Sequence, residues 1–198
     1  MTVGKMSPDD IRKLLNKSAG QQISHNLNKD NPTNVKQWIP TGSRWLDSIV
    51  CRGKLAGIPV GKVTEIAGLE STGKSYMAAQ VAANAQKMGI QVVYFDSESA
   101  LDSSFLERTG CNVDDIIYTQ AISVEKVLEM IETLMINNEN KMLFIWDSLA
   151  LTPTKNTIEG DFNPQSSMAV KARVLSKGMQ KLTVPIANTQ STMLVLNQ

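Results

Sequence analysis

Hydrophobic and polar residues alternate along the chain in segments typical of a protein that mixes helices and strands. Short apolar runs between polar turns predict strands, and apolar residues three and four positions apart predict helices. The predicted strands are 62–67, 91–96, 115–118, 142–146 and 193–196, and the predicted helices are 75–88, one that follows Ser123, and one from about 167 to 183. Strands that alternate with helices predict an α/β fold with a mainly parallel sheet.

Two of these runs are apolar without interruption. The run 142–146 is typical of a strand covered on both faces of the sheet. The run 193–196 is similar, but the chain stops at Gln198. We therefore expect this strand to form an exposed edge that lacks later pairing partners and favours aggregation.

The pattern before residue 38 is different. Ser7 and Pro8 form a typical helix start, and Gly20 is placed to end that helix. Residues 21–37 are rich in Asn, Gln and Lys and indicate a linker. We divide the chain into an N-terminal helix and linker, residues 1–37, as a candidate subunit-packing arm, and a core of residues 38–198. Trp38 and Trp45 are predicted to pack where the core begins.

Composition narrows the classes of protein. Of the 198 residues, 42% are hydrophobic and 20% are charged, which is typical of one globular domain. Twenty basic against nineteen acidic residues give a net charge of +1, so any contact with DNA must be a local patch. Cys51 and Cys111 lack a metal-binding spacing and are predicted to be free thiols. With no apolar run long enough for a bilayer and no hydrophobic signal region, we expect a cytoplasmic protein without a membrane partner.

A phosphate-binding motif follows the first core strand. The residues Gly68, Leu69, Glu70, Ser71, Thr72, Gly73, Lys74 and Ser75 match G-x-x-x-x-G-K-[ST] between a predicted strand and a predicted helix. In such a loop the backbone amides point at phosphate from the positive end of a helix. We expect this segment to bind ATP, with Lys74 at the β- and γ-phosphates and the Ser75 hydroxyl on Mg²⁺.

Acidic residues after two further strands complete the predicted chemistry. Asp147 ends the strand 142–146, which is the Walker B position and a second anchor for Mg²⁺. Ser148 follows it and cannot act as a base, so a carboxylate that orients water must come from elsewhere. Glu98 follows the strand 91–96 at the carboxyl edge, where ligands bind in open α/β sheets. Taken alone, Asp147 is equally a turn residue and Glu98 a solvated loop residue.

These motifs, in this order, resemble those of bacterial RecA recombinases and their phage UvsX-type relatives. The similarity runs from about Ile39 to Gln198. Residues 41–47, TGSRWLD, resemble the family's T-G-S-x-x-L-D. Residues 95–102, FDSESALD, are similar to F-I-D-A-E-x-A-L-D, and residues 147–153, DSLALTP, are similar to D-S-V-A-A-L-T-P. Leu69 stands where the family has proline.

The resemblance implies a RecA-like core and a DNA-dependent ATPase. Such a protein forms helical filaments on single-stranded DNA, exchanges strands with double-stranded DNA, and serves recombinational repair. The catalytic residues implied are Glu98, which orients water, Lys74, and Gln198, which senses the γ-phosphate. The other nucleotide-binding residues implied are Tyr76, Asp102 and Phe105.

The implied DNA contacts lie in and after a loop that opens at 158–160. Phe162 and Met168 are candidates to stack or wedge against bases, although Met168 fits the core equally well. Arg173 coincides with a DNA-contacting arginine of the family, and a solvated helix face is its alternative. Lys177 and Lys181 extend the basic stripe without an assigned role. The opposite, apolar face of this helix is predicted to hold Met168, Ala172, Leu175, Met179 and Leu182.

Two rival functions and one expectation about the chain's extent remain. A hexameric helicase uses the same core fold, and a non-catalytic recombinase paralogue would only bind and regulate. Gln198 falls where the family's second DNA-binding loop begins. We therefore expect this sequence to be truncated before that loop, as a piece of a longer protein.

Overall fold

The computed structural model describes residues 5–29, 31, 34–99, 101–160 and 167–198, and the chain divides into two units. The first unit spans Met1–Asn34 and the second spans Val35–Gln198. In the first unit, helix α1 (Pro8–Ala19) begins where Ser7 accepts a hydrogen bond from the Asp10 amide. It ends at Gly20, whose φ of 66° is left-handed. Both ends are those predicted.

The second unit begins with short elements that were not predicted. Strands β1 (Trp38–Ile39) and β2 (Ile58–Pro59) pair antiparallel, and helix α2 (Arg44–Val50) lies between them in the chain. Trp38 is half-buried, but Trp45 on α2 is 82% exposed, so the predicted packing role of Trp45 is wrong. Strands of two residues are too short to show a periodic pattern, which explains why the sequence did not reveal them.

A parallel five-stranded sheet forms the centre of the second unit within the described residues. Its strands are β3 (Val63–Ala67), β4 (Gln91–Asp96), β5 (Ile116–Gln120), β6 (Met142–Asp147) and β7 (Thr192–Asn197). Their order across the sheet is β3, β7, β6, β4, β5. Each strand lies where one was predicted, and the predicted α/β class with a parallel sheet is confirmed.

Strand β7 is not at an edge of this sheet. It pairs with β3 on one side, Thr64 opposite Leu194, and with β6 on the other, Ile145 opposite Leu194. The residues of β7 from Thr192 to Leu196 are buried. The expected exposed apolar edge at 193–196 is therefore wrong. Chain order does not fix strand order, and an uninterrupted apolar run is what a strand covered on both faces requires.

Helices cover both faces of the sheet. Helix α3 (Lys74–Lys87) lies on one face, and α5 (Val124–Asn137) and α7 (Ser167–Thr189) lie on the other. Alternate strand residues enter the two cores: Tyr94, Leu143 and Leu194 join the α3 side, and Phe95, Phe144 and Trp146 join the α5 and α7 side. Alanines dominate the buried side of α3, which lets its backbone lie close to the sheet. The α3 N-terminus is thereby fixed at the carboxyl edge of the strands.

Helix α7 is longer than predicted because it continues through Pro185 to Thr189. Proline removes one helical N–H, but Leu182 and Ile186, each 1% exposed, hold the last turns against the core. The predicted apolar face is correct for Leu175, Met179 and Leu182, whereas Ala172 is exposed, and Val174 and Ile186 belong to the packed face. The side chain of Met168 lies outside the described part of the chain.

Shorter helices complete the described second unit. They are α4 (Ser103–Arg108), α6 (Lys155–Glu159) and a 3-10 turn at Val113–Asp115. Cys51 and Cys111 are buried free thiols, as predicted. In the part of the chain that the structure describes, no helix has the length and apolar character needed to cross a membrane.

Candidate functional site

The predicted phosphate loop joins β3 to α3. Gly73 immediately precedes α3 with a left-handed φ of 89°, a conformation that favours glycine, and Ser71 is also left-handed at 58°. Gly73 has no side chain that could cap the helix. The first amides of this 14-residue helix are therefore left for another acceptor. Free amides and the positive end of the helix dipole form an anion-binding site.

Lys74 folds back over this loop. Its ammonium group donates to the carbonyl oxygens of Gly68, at 2.7 Å, and Leu69, at 2.8 Å. The Thr72 hydroxyl donates to the same Leu69 carbonyl at 2.7 Å. A side chain at Gly68 would bring its Cβ to 3.3 Å from the Thr72 oxygen, so the turn is tightly wound. The positive charge is thus held beside the free amides of α3.

A cavity of about 530 Å³ opens over the phosphate loop at the carboxyl edge of the sheet. It is lined by Glu70, Ser71, Thr72, Gly73, Lys74, Ser75, Tyr76, Glu98, Phe105, Asp147, Ser148, Leu151 and Gln198. Most of the residues predicted for nucleotide and Mg²⁺ therefore meet in one place. Ser148 and Leu151 were not predicted to line it.

Three predicted nucleotide residues do not line this cavity. Gly68 and Leu69 contribute the carbonyl oxygens that hold Lys74 instead. Asp102 caps helix α4, where it accepts hydrogen bonds from the hydroxyl and, at 3.2 Å, the amide of Ser104. These two bonds hold the pKa of Asp102 below its usual value.

A smaller cavity of about 230 Å³ reaches inward from the first. Ser75, Glu98, Phe105 and Asp147 line both cavities. The Ser75 hydroxyl and the Asp147 carboxylate thus face a common space, and oxygen ligands of this kind suit Mg²⁺, which also takes phosphate oxygens. The residues present fit a magnesium ion bound together with a nucleotide.

Asp96 organises the loop that carries Glu98. It is 4% exposed, and its Oδ1 accepts from the amides of Glu98 and Ser99 at 2.9 and 3.0 Å. Its Oδ2 accepts from the Leu101 amide at 3.1 Å and the Tyr118 hydroxyl at 3.2 Å. Sequence reasoning missed this role. The available signal was an aspartate at a strand end followed by Ser-Glu-Ser, since Asp side chains often bond amides two or three residues on.

Tyr94 makes the corresponding contact to Asp147. Its ring is fully buried, and its hydroxyl donates to Asp147 Oδ2 at 2.8 Å. Burial, and then the charge of Asp147, raise the pKa of Tyr94 far above its ordinary value, so the phenol stays a donor. No signal in the sequence assigned this residue to the site.

Ser97 joins the loop of Glu98 to the strand end of Asp147. Its hydroxyl accepts from the Ser148 amide at 2.8 Å and donates toward the Ser148 carbonyl at 3.0 Å. The Ser97 amide donates to the Asp147 carbonyl at 2.7 Å. Glu98 and Asp147 are therefore held on connected backbone segments rather than on independent loops.

Aromatic rings border the outer cavity. Tyr76 and Phe105 approach edge to face, with centroids 6.1 Å apart and planes at 60°. Tyr76 is 51% exposed. An exposed aromatic surface beside a phosphate site can stack on a planar base.

The structure describes only part of the predicted DNA surface. Helix α6 ends at Glu159 with Gly160 as its C-cap, and Phe162 lies outside the described residues. Arg173 is exposed on α7. Lys181 of the same stripe forms an ion pair with Glu132 on α5, at 2.6 Å, and Lys177 borders the groove between these helices. One of the three basic residues of this stripe, Lys181, is therefore already paired with an acidic residue of the protein itself.

A parallel sheet with a phosphate loop after β3, an acidic residue after β4 and another at the end of β6 is the arrangement of a P-loop core. The family described as RecA N-terminal domain matches residues 9–198. The chain therefore belongs to the RecA family.

Curated relatives agree with this assignment. The chain is 35% identical over 189 residues to Protein RecA of Fusobacterium nucleatum subsp. nucleatum, covering 96% of this chain and 48% of the relative. It is 35% identical over 197 residues to Protein RecA of Colwellia psychrerythraea, covering 96% of this chain and 55% of the relative. It is 32% identical over 190 residues to the mitochondrial DNA repair protein recA homolog of Dictyostelium discoideum, covering 96% of this chain and 41% of the relative. The chain spans about half the length of the curated relatives it matches.

Proposed function

We propose that this chain is the ATP-binding and ATP-hydrolysing part of a DNA recombinase that forms filaments on single-stranded DNA. The observation that carries the proposal is that Lys74, Ser75, Glu98 and Asp147 line one cavity at the carboxyl edge of the sheet. Membership of the RecA family supports the recombinase role.

The chemistry is in-line attack of water on the γ-phosphate of ATP. The α3 amides and Lys74 hold the phosphates, and Glu98 orients and activates the water. Ser75 and Asp147 hold Mg²⁺, which when bound neutralises charge on the phosphate oxygens. Gln198 contacts the γ-phosphate and links the nucleotide state to DNA binding, while Tyr76, Phe105 and Asp102 lie toward the adenine.

DNA binding completes the proposed cycle. Arg173 contacts the phosphate backbone, and Phe162 and Met168 stack on or wedge between bases of the single strand. ATP binding favours the filament, double-stranded DNA enters as the exchange partner, and hydrolysis permits release. We assign the protein to the cytoplasm and the segment 1–37 to subunit packing.

Neither rival function is favoured. The matched family is that of RecA rather than of a ring helicase. A paralogue that only binds and regulates would not need Glu98, the residue assigned to hydrolysis, beside Lys74, Ser75 and Asp147 in one cavity.

Nucleotide binding tests the proposal first. A fluorescent ATP analogue with Mg²⁺ should bind the chain, and Lys74→Ala should weaken binding roughly 10- to 100-fold, the scale of a lost charge-assisted hydrogen bond. Lys87→Ala, at the other end of α3, is the matched control and should bind like the unaltered chain. Equal binding by both variants would refute the phosphate site.

Electron microscopy with single-stranded DNA and ATP tests the assembly. Open helical filaments are the expected result. Closed rings would support the helicase, and DNA binding without any ATP turnover would support the non-catalytic paralogue.

A further inference from the structure

The loop that carries Glu98 leaves the sheet just after strand β4 ends. Asp96 is the last residue of β4 and lies opposite Asp147, the last residue of β6. The Ser97 amide still continues the backbone pairing, since it donates to the Asp147 carbonyl at 2.7 Å. The Glu98 amide turns back instead and donates to Asp96 Oδ1 at 2.9 Å. The regular backbone pairing of β4 with β6 thus ends at Ser97.

The side chain of Ser97 takes over where this backbone pairing ends. Its hydroxyl accepts from the Ser148 amide at 2.8 Å and donates to the Ser148 carbonyl at 3.0 Å. A hydroxyl can make both bonds because it carries one donor and two lone pairs. Ser148 is 2% exposed, so removing the hydroxyl would leave a buried amide without its acceptor. One oxygen atom therefore joins the Glu98 loop to the segment that follows Asp147.

The position of the Glu98 carboxylate depends on this backbone. The side chain is exposed and lines the outer cavity with Asp147 and Ser148. The hydrogen bonds that fix its place in the described structure are made by its own amide, to Asp96, and by the neighbouring Ser97. The hydroxyl of Ser97 is the side-chain group that ties this carboxylate to the end of β6.

Hydrolysis is sensitive to such a connection. The water that Glu98 orients must lie in line with the γ-phosphate, which the phosphate loop and the ligands after β6 hold in place. A displacement of about 1 Å in such an arrangement can cost about 10²-fold in rate. The bond that fixes the loop of Glu98 against the end of β6 therefore acts on the reaction without touching the substrate.

We propose that Ser97 is a positioning residue for ATP hydrolysis, whose hydroxyl holds the water-orienting carboxylate of Glu98 at a fixed place relative to the phosphate site. This inference rests on the proposed nucleotide function. Ser97 transfers no proton: the water oxygen attacks the γ-phosphorus, its proton passes to Glu98, and the bond to the β-phosphate oxygen breaks. The corresponding residue of the family pattern F-I-D-A-E-x-A-L-D is alanine, so an alanine here is compatible with the fold.

The test compares the rate of ATP hydrolysis with the affinity for a non-hydrolysable ATP analogue. In Ser97→Ala, kcat should fall roughly 10-fold or more, and the dissociation constant of the analogue should not change, because the phosphate loop follows a different strand. Ser191→Ala is the matched control. Ser191 is a buried serine just before β7, at the opposite edge of the sheet, and its hydroxyl accepts from the Thr189 hydroxyl at 3.0 Å. This control should lower the urea midpoint of unfolding but keep kcat.

A double variant separates the positioning of Glu98 from a general loss of structure. Adding Ser97→Ala to Glu98→Gln should slow hydrolysis no further than Glu98→Gln alone, because the two residues act as one unit. An unchanged kcat in Ser97→Ala, an equal fall in Ser191→Ala, an analogue affinity that falls together with kcat, or additive losses in the double variant would each overturn the inference. Failure of the unaltered chain to hydrolyse ATP would instead overturn the proposed function on which it rests.

Discussion

Replacing Asp96 with asparagine should destabilise the second unit and loosen Glu98 without creating a cavity. The amide is nearly the same size as the carboxylate, but it keeps only one acceptor oxygen. That oxygen can still serve the amides of Glu98 and Ser99. The new NH₂ group then faces the Leu101 amide, which loses its acceptor, while the Tyr118 hydroxyl can turn and accept.

The magnitude follows from that single lost acceptor. A hydrogen bond to a charged group contributes about 1.5–3 kcal/mol, and the carboxylate that changes is only 4% exposed. We expect the free energy of unfolding to fall by about 1.5–3 kcal/mol. With a urea dependence of about 1–3 kcal/mol per molar, the unfolding midpoint should drop by roughly 1 M.

Urea titration followed by far-UV circular dichroism is the assay, and Tyr118→Phe is the matched control. That control removes one neutral donor and leaves all three amides bonded to Asp96, so its loss should be about 0.5–1.5 kcal/mol. In the same variants, ATP hydrolysis should fall for Asp96→Asn while affinity for an ATP analogue is kept, because the phosphate loop follows a different strand. A midpoint for Asp96→Asn equal to that of the unaltered chain, or above that of Tyr118→Phe, would refute the reasoning.

Two further predictions address catalysis and DNA binding. Glu98→Gln should retain binding of the ATP analogue but slow hydrolysis by roughly 10² or more, because the general base is lost. The rate is measured by phosphate release, with the exposed Glu107→Gln as the control. A hydrolysis rate for Glu98→Gln equal to that of the control would place the catalytic carboxylate elsewhere. Arg173→Ala should weaken single-stranded DNA binding and reduce the slope of log affinity against log salt concentration by about 0.7. Fluorescence anisotropy measures both quantities, with Arg108→Ala as the control. A slope equal to that of the control would leave Arg173 as a solvated side chain.

Much of the fold could be predicted because its elements are long and strongly patterned. Strands β4, β6 and β7 and helices α3, α5 and α7 have apolar runs that their burial explains. Strands β3 and β5, at the two edges of the sheet, are only partly buried. The order of the strands could not be read in the same way. Since β7 enters the sheet between β3 and β6, position near the end of the chain gave a wrong expectation about its exposure.

The predicted residues that meet in one cavity are those of contiguous motifs and strand ends: most of the phosphate loop, Asp147 and Glu98. Their chemical roles stay predictions. Asp96 was missed although a local signal was available, since it bonds the amides of Glu98 and Ser99 just after it. Tyr94 was missed because its role depends on a diagonal contact between strands that are far apart in sequence, the 2.8 Å bond to Asp147. No local pattern contains that information until the register of β4 against β6 is known.

The placement of β7 also sets the order in which the core can mature during protein synthesis. Within the described residues, β3 has one sheet neighbour, β7. The register partner of Thr64 is Leu194, which is synthesised about 130 residues later. A ribosome adds about 5–20 residues per second, so roughly 10 s pass between the emergence of the two strands. Meanwhile β4, β5 and β6 can already pair with one another. We therefore expect the strand that leads into the phosphate loop to be the last to pair in the sheet, after translation has delivered β7.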